Sequence, residues 1–473
     1  MRKEVFNMKT IRTVLFVLLI TSLASAQQRW TKTYGGSGND QSSSAQQTSD
    51  GGYVVAGYTN SYGAGGYNVW LVKTNASGDT VWTRTYGGSL DDVGLSVQQT
   101  SDGGYIVTGW TNSFGAGKYD VWLIKTNASG DTLWTRTYGG TGMDEGESVQ
   151  QTSDGGYIVA GYTNSFGAGI GDVYLIKTNA SGDTLWTRTY GGARDDWGYS
   201  VRQTSDGGYI VAGTTLSFGA GGYDAYLIKT NPSGDTLWTR TFGGAGDDEG
   251  HSVQQTSDGG YVIAGSTNSF GAGGYDAYLI KTNASGGITW TKTYGGLSDD
   301  WSLSVLQNTD GGYTVAGLTA SFGAGGYDVY LVRTSASGDT LWTRTYGTSN
   351  NEYSYSVRPT SDEGYIIAGQ TQPPAGAYDV YLIKTDANGS AAVEEPARTR
   401  PEAAGRVEAT PNPFESFTRI PGHEGERFNL YDISGKIAGT YRGDRIGEGL
   451  SPAVYFIKLD DNPGGNLRIV KVR

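Results

Sequence analysis

Two series of acidic residues and one of aromatics are the side chains best able to do chemistry. Asp92, Asp144, Asp196, Asp248 and Asp300 share one register, with Asp40 before them and Glu352 after. Asp120, Asp172, Asp224, Asp276, Asp328 and Asp379 share a second, with Asn68 in the first position. Carboxylates recurring along one rim could supply the oxygen ligands that Ca²⁺ prefers; no other cofactor is expected. They could also accept sugar hydroxyls, or cap backbone N–H groups in their own turns. Recurrence at identical positions suits the capping role. Just after the first series the sequence varies: Val93 and Leu95, Glu145 and Glu147, Trp197 and Tyr199, Glu249 and His251, Trp301 and Leu303, Tyr353 and Tyr355. Aromatics in a polar crossing suit sugar stacking or a protein contact. Trp197, Tyr199, His251, Trp301 and Tyr353 are therefore the candidate ligand-binding set, with lateral packing between repeats as the alternative. No residue is singled out as catalytic.

Composition narrows the chemistry. The 473 residues include no Cys and only two His, His251 and His423. Disulfides, thiolate metal sites, Cys nucleophiles and multi-His metal centres are thereby excluded. The formal charge of −12 becomes −15 if residues 1–26 are removed, since four basic residues and one acidic residue leave with them. An acidic chain without basic blocks is a poor partner for nucleic acid or anionic lipid. The 76 Gly, with 12 Trp and 33 Tyr spaced among them, indicate many tight turns between short strands rather than a disordered chain.

The elements that position these residues follow from a repeat. Trp30, Trp82, Trp134, Trp186, Trp238, Trp290 and Trp342 recur every 52 residues, as do Tyr53, Tyr105, Tyr157, Tyr209, Tyr261, Tyr313 and Tyr365. In the fourth copy, residues 200–204, 209–213, 224–230 and 237–242 read as four strands, A to D. SDGG at 205–208 makes the A–B turn, and a glycine-rich loop at 217–222 joins B to C. Strands B and C are apolar at consecutive positions, which means burial on both faces. Seven such sheets stacked around an axis form an all-β, seven-bladed β-propeller. The chain starts with a lone D-type strand at 29–34, and its last set has A, B and C but no Trp-bearing D strand. The N-terminal strand should therefore close the last blade and protect two sheet edges. Longer B–C loops and D–A crossings share one rim, where a ligand is expected. Lys125, Lys177, Lys229 and Lys281 end strand C and are expected to be solvated, and the Trp series is expected to be core.

The order Gly250-His251-Ser252-Val253, residues 260–265 (GYVIAG), residues 275–279 (YDAYL) and Thr289-Trp290-Thr291 resembles the kelch family of propellers. The repeat SDGGY[IV][VI]AG is closer still to uncharacterised bacterial propeller repeats of the SBBP type. These resemblances imply the blade plan. A kelch-like copper oxidase is excluded, because its site requires a Cys–Tyr crosslink and His ligands.

The ends suggest an address. Residues 1–26 carry a basic start, the apolar run VLFVLLI at 14–20 and Ala24-Ser25-Ala26, and read as an export signal. The propeller is placed at 27–388 and a linker at 389–407. Residues 408–473 hold Pro411-Asn412-Pro413-Phe414, Tyr431-Asp432 with Gly435-Lys436, Tyr455-Phe456-Ile457 and a basic-apolar terminus. This region resembles the type A C-terminal sorting domain of the type IX secretion system. The resemblance implies a small β-sandwich, recognised by the outer-membrane secretion machinery and often removed afterwards. No transmembrane segment is expected in the mature chain.

The expectation is a secreted or cell-surface, non-enzymatic binding propeller for adhesion, with a glycan or a surface protein as partner. The alternatives are a propeller glycoside hydrolase or lyase, and a purely structural surface protein. A hydrolase needs two carboxylates in unlike environments, which seven near-identical repeats make hard to build.

Overall fold

The computed structural model describes residues 29–373, 376–391 and, further on, 427–431, 436–442, 445–446, 450–451, 453–458 and 466–471. The export signal at 1–26, most of the linker and the Pro411–Phe414 motif lie outside the described residues. Contacts divide the chain into two compact units, Met1–Glu395 and Pro396–Arg473. No described helix is long and apolar enough to cross a membrane.

The first unit is a seven-bladed β-propeller. The first blade orders its strands Asp40–Gln47, Tyr53–Thr59, Asn68–Thr74 and Thr80–Tyr86 from inside to outside. The next five blades repeat this order, each 52 residues further on. The seventh pairs Glu352–Pro359, Tyr365–Thr371 and Asp379–Thr385 with Trp30–Tyr34 as its outer strand. The closing register runs antiparallel from Trp30 opposite Lys384 to Tyr34 opposite Val380. The ring is fastened where the strand count anticipates it.

Apolar runs in the second and third strands bury both faces, as the sequence implies. Ile158, Ala160, Val173 and Leu175 of the third blade meet Val201, Tyr209, Val211, Tyr226 and Ile228 of the fourth in one core cluster. Outer-strand tryptophans clamp adjacent blades: Trp186 packs edge-on against Tyr209 with centroids 5.8 Å apart. Its other face lies under the Arg188 guanidinium, 5.6 Å from the ring centroid. Trp82 through Trp342 are therefore only partly buried, and Trp30, 8% exposed, is the buried member of the series.

The lysine series corrects an expectation. Lys229 is 3% exposed; its Nζ donates to Thr230 O at 2.9 Å and pairs with the Asp206 carboxylate in the A–B turn at 2.9 Å. Lys125, Lys177 and Lys281 do the same with Asp102, Asp154 and Asp258. A long stem lets the ammonium cross a buried strand end and reach the turn.

Inner strands are tied across blades by two side-chain bonds. Ser148 Oγ accepts from Val201 N at 3.3 Å, and Gln150 Oε1 accepts from Gln203 N at 2.7 Å. The glutamine tie recurs from Gln99 N to Gln46, Gln151 N to Gln98 and Gln307 N to Gln254.

The described strands of the second unit form one four-stranded antiparallel sheet, with Ile437–Arg442, Arg427–Tyr431, Ala453–Lys458 and Asn466–Lys471 side by side. Phe428 and Leu430 are buried on one of its faces.

Candidate functional site

The first acidic series opens the inner strand rather than sitting in a crossing loop. That strand runs Asp196–Gln203 in the fourth blade and starts four residues before the expected 200–204. A β-bulge breaks the alternation: pairing jumps from Gly198–Gly213 to Ser200–Ala212 and leaves Tyr199 unpaired. The same break recurs in every blade. A bulge re-aims its extra residue, and here each one lines the central channel. Ser43, Leu95, Glu147, Tyr199, His251, Leu303 and Tyr355, with Gln41 and Tyr58, surround a cavity of about 290 Å³. The most variable residues of the repeat thus meet in one place.

An aromatic arc follows this wall from the third blade to the sixth. Tyr162 stacks on Trp197 with centroids 3.9 Å apart and planes 13° from parallel. Trp197 lies 6.1 Å from Tyr199, Tyr199 lies 5.1 Å from His251, and His251 lies 6.4 Å from Trp301. Tyr275 packs on the far side of the arc, 5.0 Å from Trp301. Tyr162 takes its place because Gly171 stands where the six other blades have Tyr67, Tyr119, Tyr223, Tyr275, Tyr327 or Tyr378; a Cβ at Gly171 would strike the Tyr162 ring. Four of the five expected ligand residues are therefore brought together. Tyr353 is separate, and packs on Tyr327 at 5.6 Å and Tyr378 at 6.1 Å. All five remain partly exposed. Phe114, Phe166, Phe218, Phe270 and Phe322 went unnoticed in the sequence. They occur in five of the seven B–C loops, with Tyr62 in the first, and stand 45–47% exposed on the same rim.

The carboxylates of the channel differ sharply. Burial pushes Glu145 up to about 7, and burial with the charge of Glu145 pushes Glu147 up to about 8. Glu249 goes the other way: burial raises it, but His251 Nε2 at 2.9 Å from Oε2, with Ser266 Oγ at 3.3 Å, brings it below the usual glutamate range. Tyr199 is held well above its ordinary value by burial and by Glu249 and Glu147. The expectation that the repeat gives its carboxylates like environments fails here, because bulge residues differ from blade to blade while the backbone does not.

The expected calcium residues act on their own turns. Asp92 accepts from Thr111 Oγ1, from Ser113 Oγ at 2.7 Å and from Gly88 N at 2.8 Å. Asp196 repeats this with Thr215, Ser217 and Gly192. Asp144, Asp248 and Asp300 take the corresponding serine hydroxyls and glycine amides. In the second series, Asp172 Oδ2 accepts from Ala168 N at 2.9 Å and Gly169 N at 3.3 Å. A Cβ at Gly191 would clash with both Asp172 and Asp196, so the two series together shape the crossing. Among the described residues no three acidic or histidine side chains gather as a metal would need.

No protein-family model matches the chain. A curated relative, Regulatory protein FlaEY of Caulobacter vibrioides, is 29% identical over 249 residues, covering 45% of this chain and 25% of that protein. The chain thus spans about a quarter of that relative's length. The Neurospora crassa Pan2 WD40 domain is similar in shape, with TM-score 0.48 and 11% identity over 76% of this chain and 94% of that one. So is the extracellular domain of BT4673 of B. thetaiotaomicron, with TM-score 0.42 and 11% identity over 95% of this chain and 59% of that one. The blade count rests on the strand pairing itself.

Proposed function

We propose that the propeller is a non-catalytic binding module working outside the cell, and that its ligand docks on the aromatic arc at the channel mouth. The carrying observation is the run Tyr162–Trp197–Tyr199–His251–Trp301–Tyr275. Tyr162 is buried and backs Trp197, while the partly exposed rings of Trp197, Tyr199, His251, Trp301 and Tyr275 fit the apolar faces of sugars. Acceptors stand at the edge of the arc: Asp195 takes the Tyr162 hydroxyl at 3.2 Å, and Asp247 takes that of Tyr275 at 3.2 Å. A glycan is the favoured ligand class, for adhesion; an aromatic-binding loop of a surface protein is the second. A glycan array probed with wild type, W197A and W301A tests this. Hits that both variants lose support the reading, and hits that both retain refute it.

The kelch-like repeat order, the export signal at 1–26 and the sorting-domain motifs of 408–473 support the same setting. The chain would cross the outer membrane through the type IX machinery and act as a secreted or surface-held protein. Expression in a bacterium with that machinery tests the route: the full chain should reach the surface or medium, and a chain ending at 407 should stay inside.

The unlike carboxylates favour one rival reading, a propeller glycoside hydrolase or lyase with Glu147 as acid and Glu249 as base. Polysaccharide turnover lost in both E147Q and E249Q would establish it.

A further inference from the structure

The opposite end of the channel carries a second departure from the repeat. There the ring position that holds Gln46, Gln98, Gln150 and Gln254 is taken by Arg202, Leu306 and Arg358 in the other three blades. The glutamines tie neighbouring inner strands through their carbonyl oxygens. At Leu306 the break is compensated, since the next strand presents Pro359, which has no N–H to satisfy. At the two arginines it is not. A guanidinium has no acceptor, so neither arginine can take the amide of Gln255 or Gln47 as the glutamines take the matching amides.

Both arginines line one cavity of about 360 Å³, together with Gln203, Gln254, Gln255 and Gln307. No carboxylate is among its lining residues. Arg202 Nη1 donates to Val201 O at 3.1 Å. Burial, and then the charge of Arg358, lower Arg202 to about 9, and burial lowers Arg358. Two like charges lining one cavity with no carboxylate beside them repel each other, and an anion held between them would relieve that repulsion.

We propose that this end of the channel is an oxyanion site, in which a sulfate or phosphate group binds between Arg202 and Arg358. Planar guanidinium forks match the oxygens of such groups, and the Gln254 carboxamide, which accepts at Oε1 from Gln307 N, adds an NH₂ donor. The group could be a free ion or one carried by a polymer. The site is independent of the aromatic arc and of the ligand proposed there.

Titration calorimetry on the full chain tests it, with sodium sulfate and inorganic phosphate against sodium chloride at matched ionic strength. R202Q and R358Q install the residue that four other blades already use, so both should fold. Saturable sulfate or phosphate binding, weakened at least tenfold in each variant and absent with chloride, is the expected result. A response equal to that of chloride, or one unchanged in both variants, overturns the proposal. A sulfated oligosaccharide then separates the sources. Binding tighter than sulfate and dependent on Arg202 marks a carried group. Binding no tighter marks the free ion.

Discussion

Ring closure by residues 30–34 can be tested through one tryptophan. Trp30 is 8% exposed, packs edge-on against Tyr53 at 5.5 Å, and donates from Nε1 to Ala76 O at 3.1 Å. Its strand adds the Tyr34 hydroxyl bond to Gly78 O at 2.6 Å. Truncating a buried Trp to Ala costs about 3–5 kcal/mol, and the lost hydrogen bond about 1 more. W30A should therefore destabilise by ~4–6 kcal/mol, much of the ~5–15 typical of a folded domain. Trp186 holds the equivalent place in an interior blade, but its ring is partly exposed beneath Arg188. W186A should cost only about 2–3 kcal/mol, since less apolar area leaves water there. Guanidinium denaturation of the full chain, followed by intrinsic fluorescence, measures both. Deleting residues 29–34 should also expose the edge of strand Asp379–Thr385 and yield dimers or aggregates in size-exclusion chromatography. A W30A cost no greater than that of W186A, together with a deletion variant that stays monomeric, would refute closure by this strand.

Three further predictions follow from local chemistry. Glu363 adopts φ 67° where the other copies of the A–B turn have glycine. Since a Cβ at Gly51 or Gly103 meets nothing within 4 Å, E363G should lose no packing and should raise stability by about 0.5–1 kcal/mol in denaturant melts. Asp50, Asp102 and Asp258 are lowered to about 2: burial opposes this, but bonds from the neighbouring threonine, lysine and backbone outweigh it. A depressed carboxylate stabilises the fold above its unfolded value and ceases to as pH falls through the folded one. Denaturant midpoints should therefore drop between about pH 4 and pH 2, and less so in a D102N/D258N variant. Glu147 is the opposite case, raised by burial and Glu145 to about 8. Its contribution is full below the unfolded value near pH 4.5 and is lost as pH rises through the folded one. E147Q should thus gain about 2–3 kcal/mol over wild type between pH 5 and pH 9, and pH-dependent melts would show it.

Much of the architecture was legible because a repeat exposes its own rules. Trp at a 52-residue spacing, consecutive apolar residues at 209–212, and the missing last outer strand together determine blades, burial and closure. The site was half legible. Trp197, Tyr199, His251 and Trp301 stand out as variable aromatics, yet the sequence alone places them in a crossing loop. A bulge has no residue signature of its own, so the extra residue at Tyr199 could not be told from loop. Lys229 looked like a solvated end because its partner, Asp206, is 23 residues away across a turn. The contrast between Glu147 and Glu249 depends on His251, Ser266 and channel burial, which no linear pattern conveys.

The binding claim is tested most directly by crystals of the chain soaked with mixed oligosaccharides and read for density in the channel. A sugar ring lying against Trp197 or Trp301, with hydroxyls toward Asp195 or Asp247, is the result expected. Density confined to the A–B turn rim, the outer strands or residues 408–473 would contradict it.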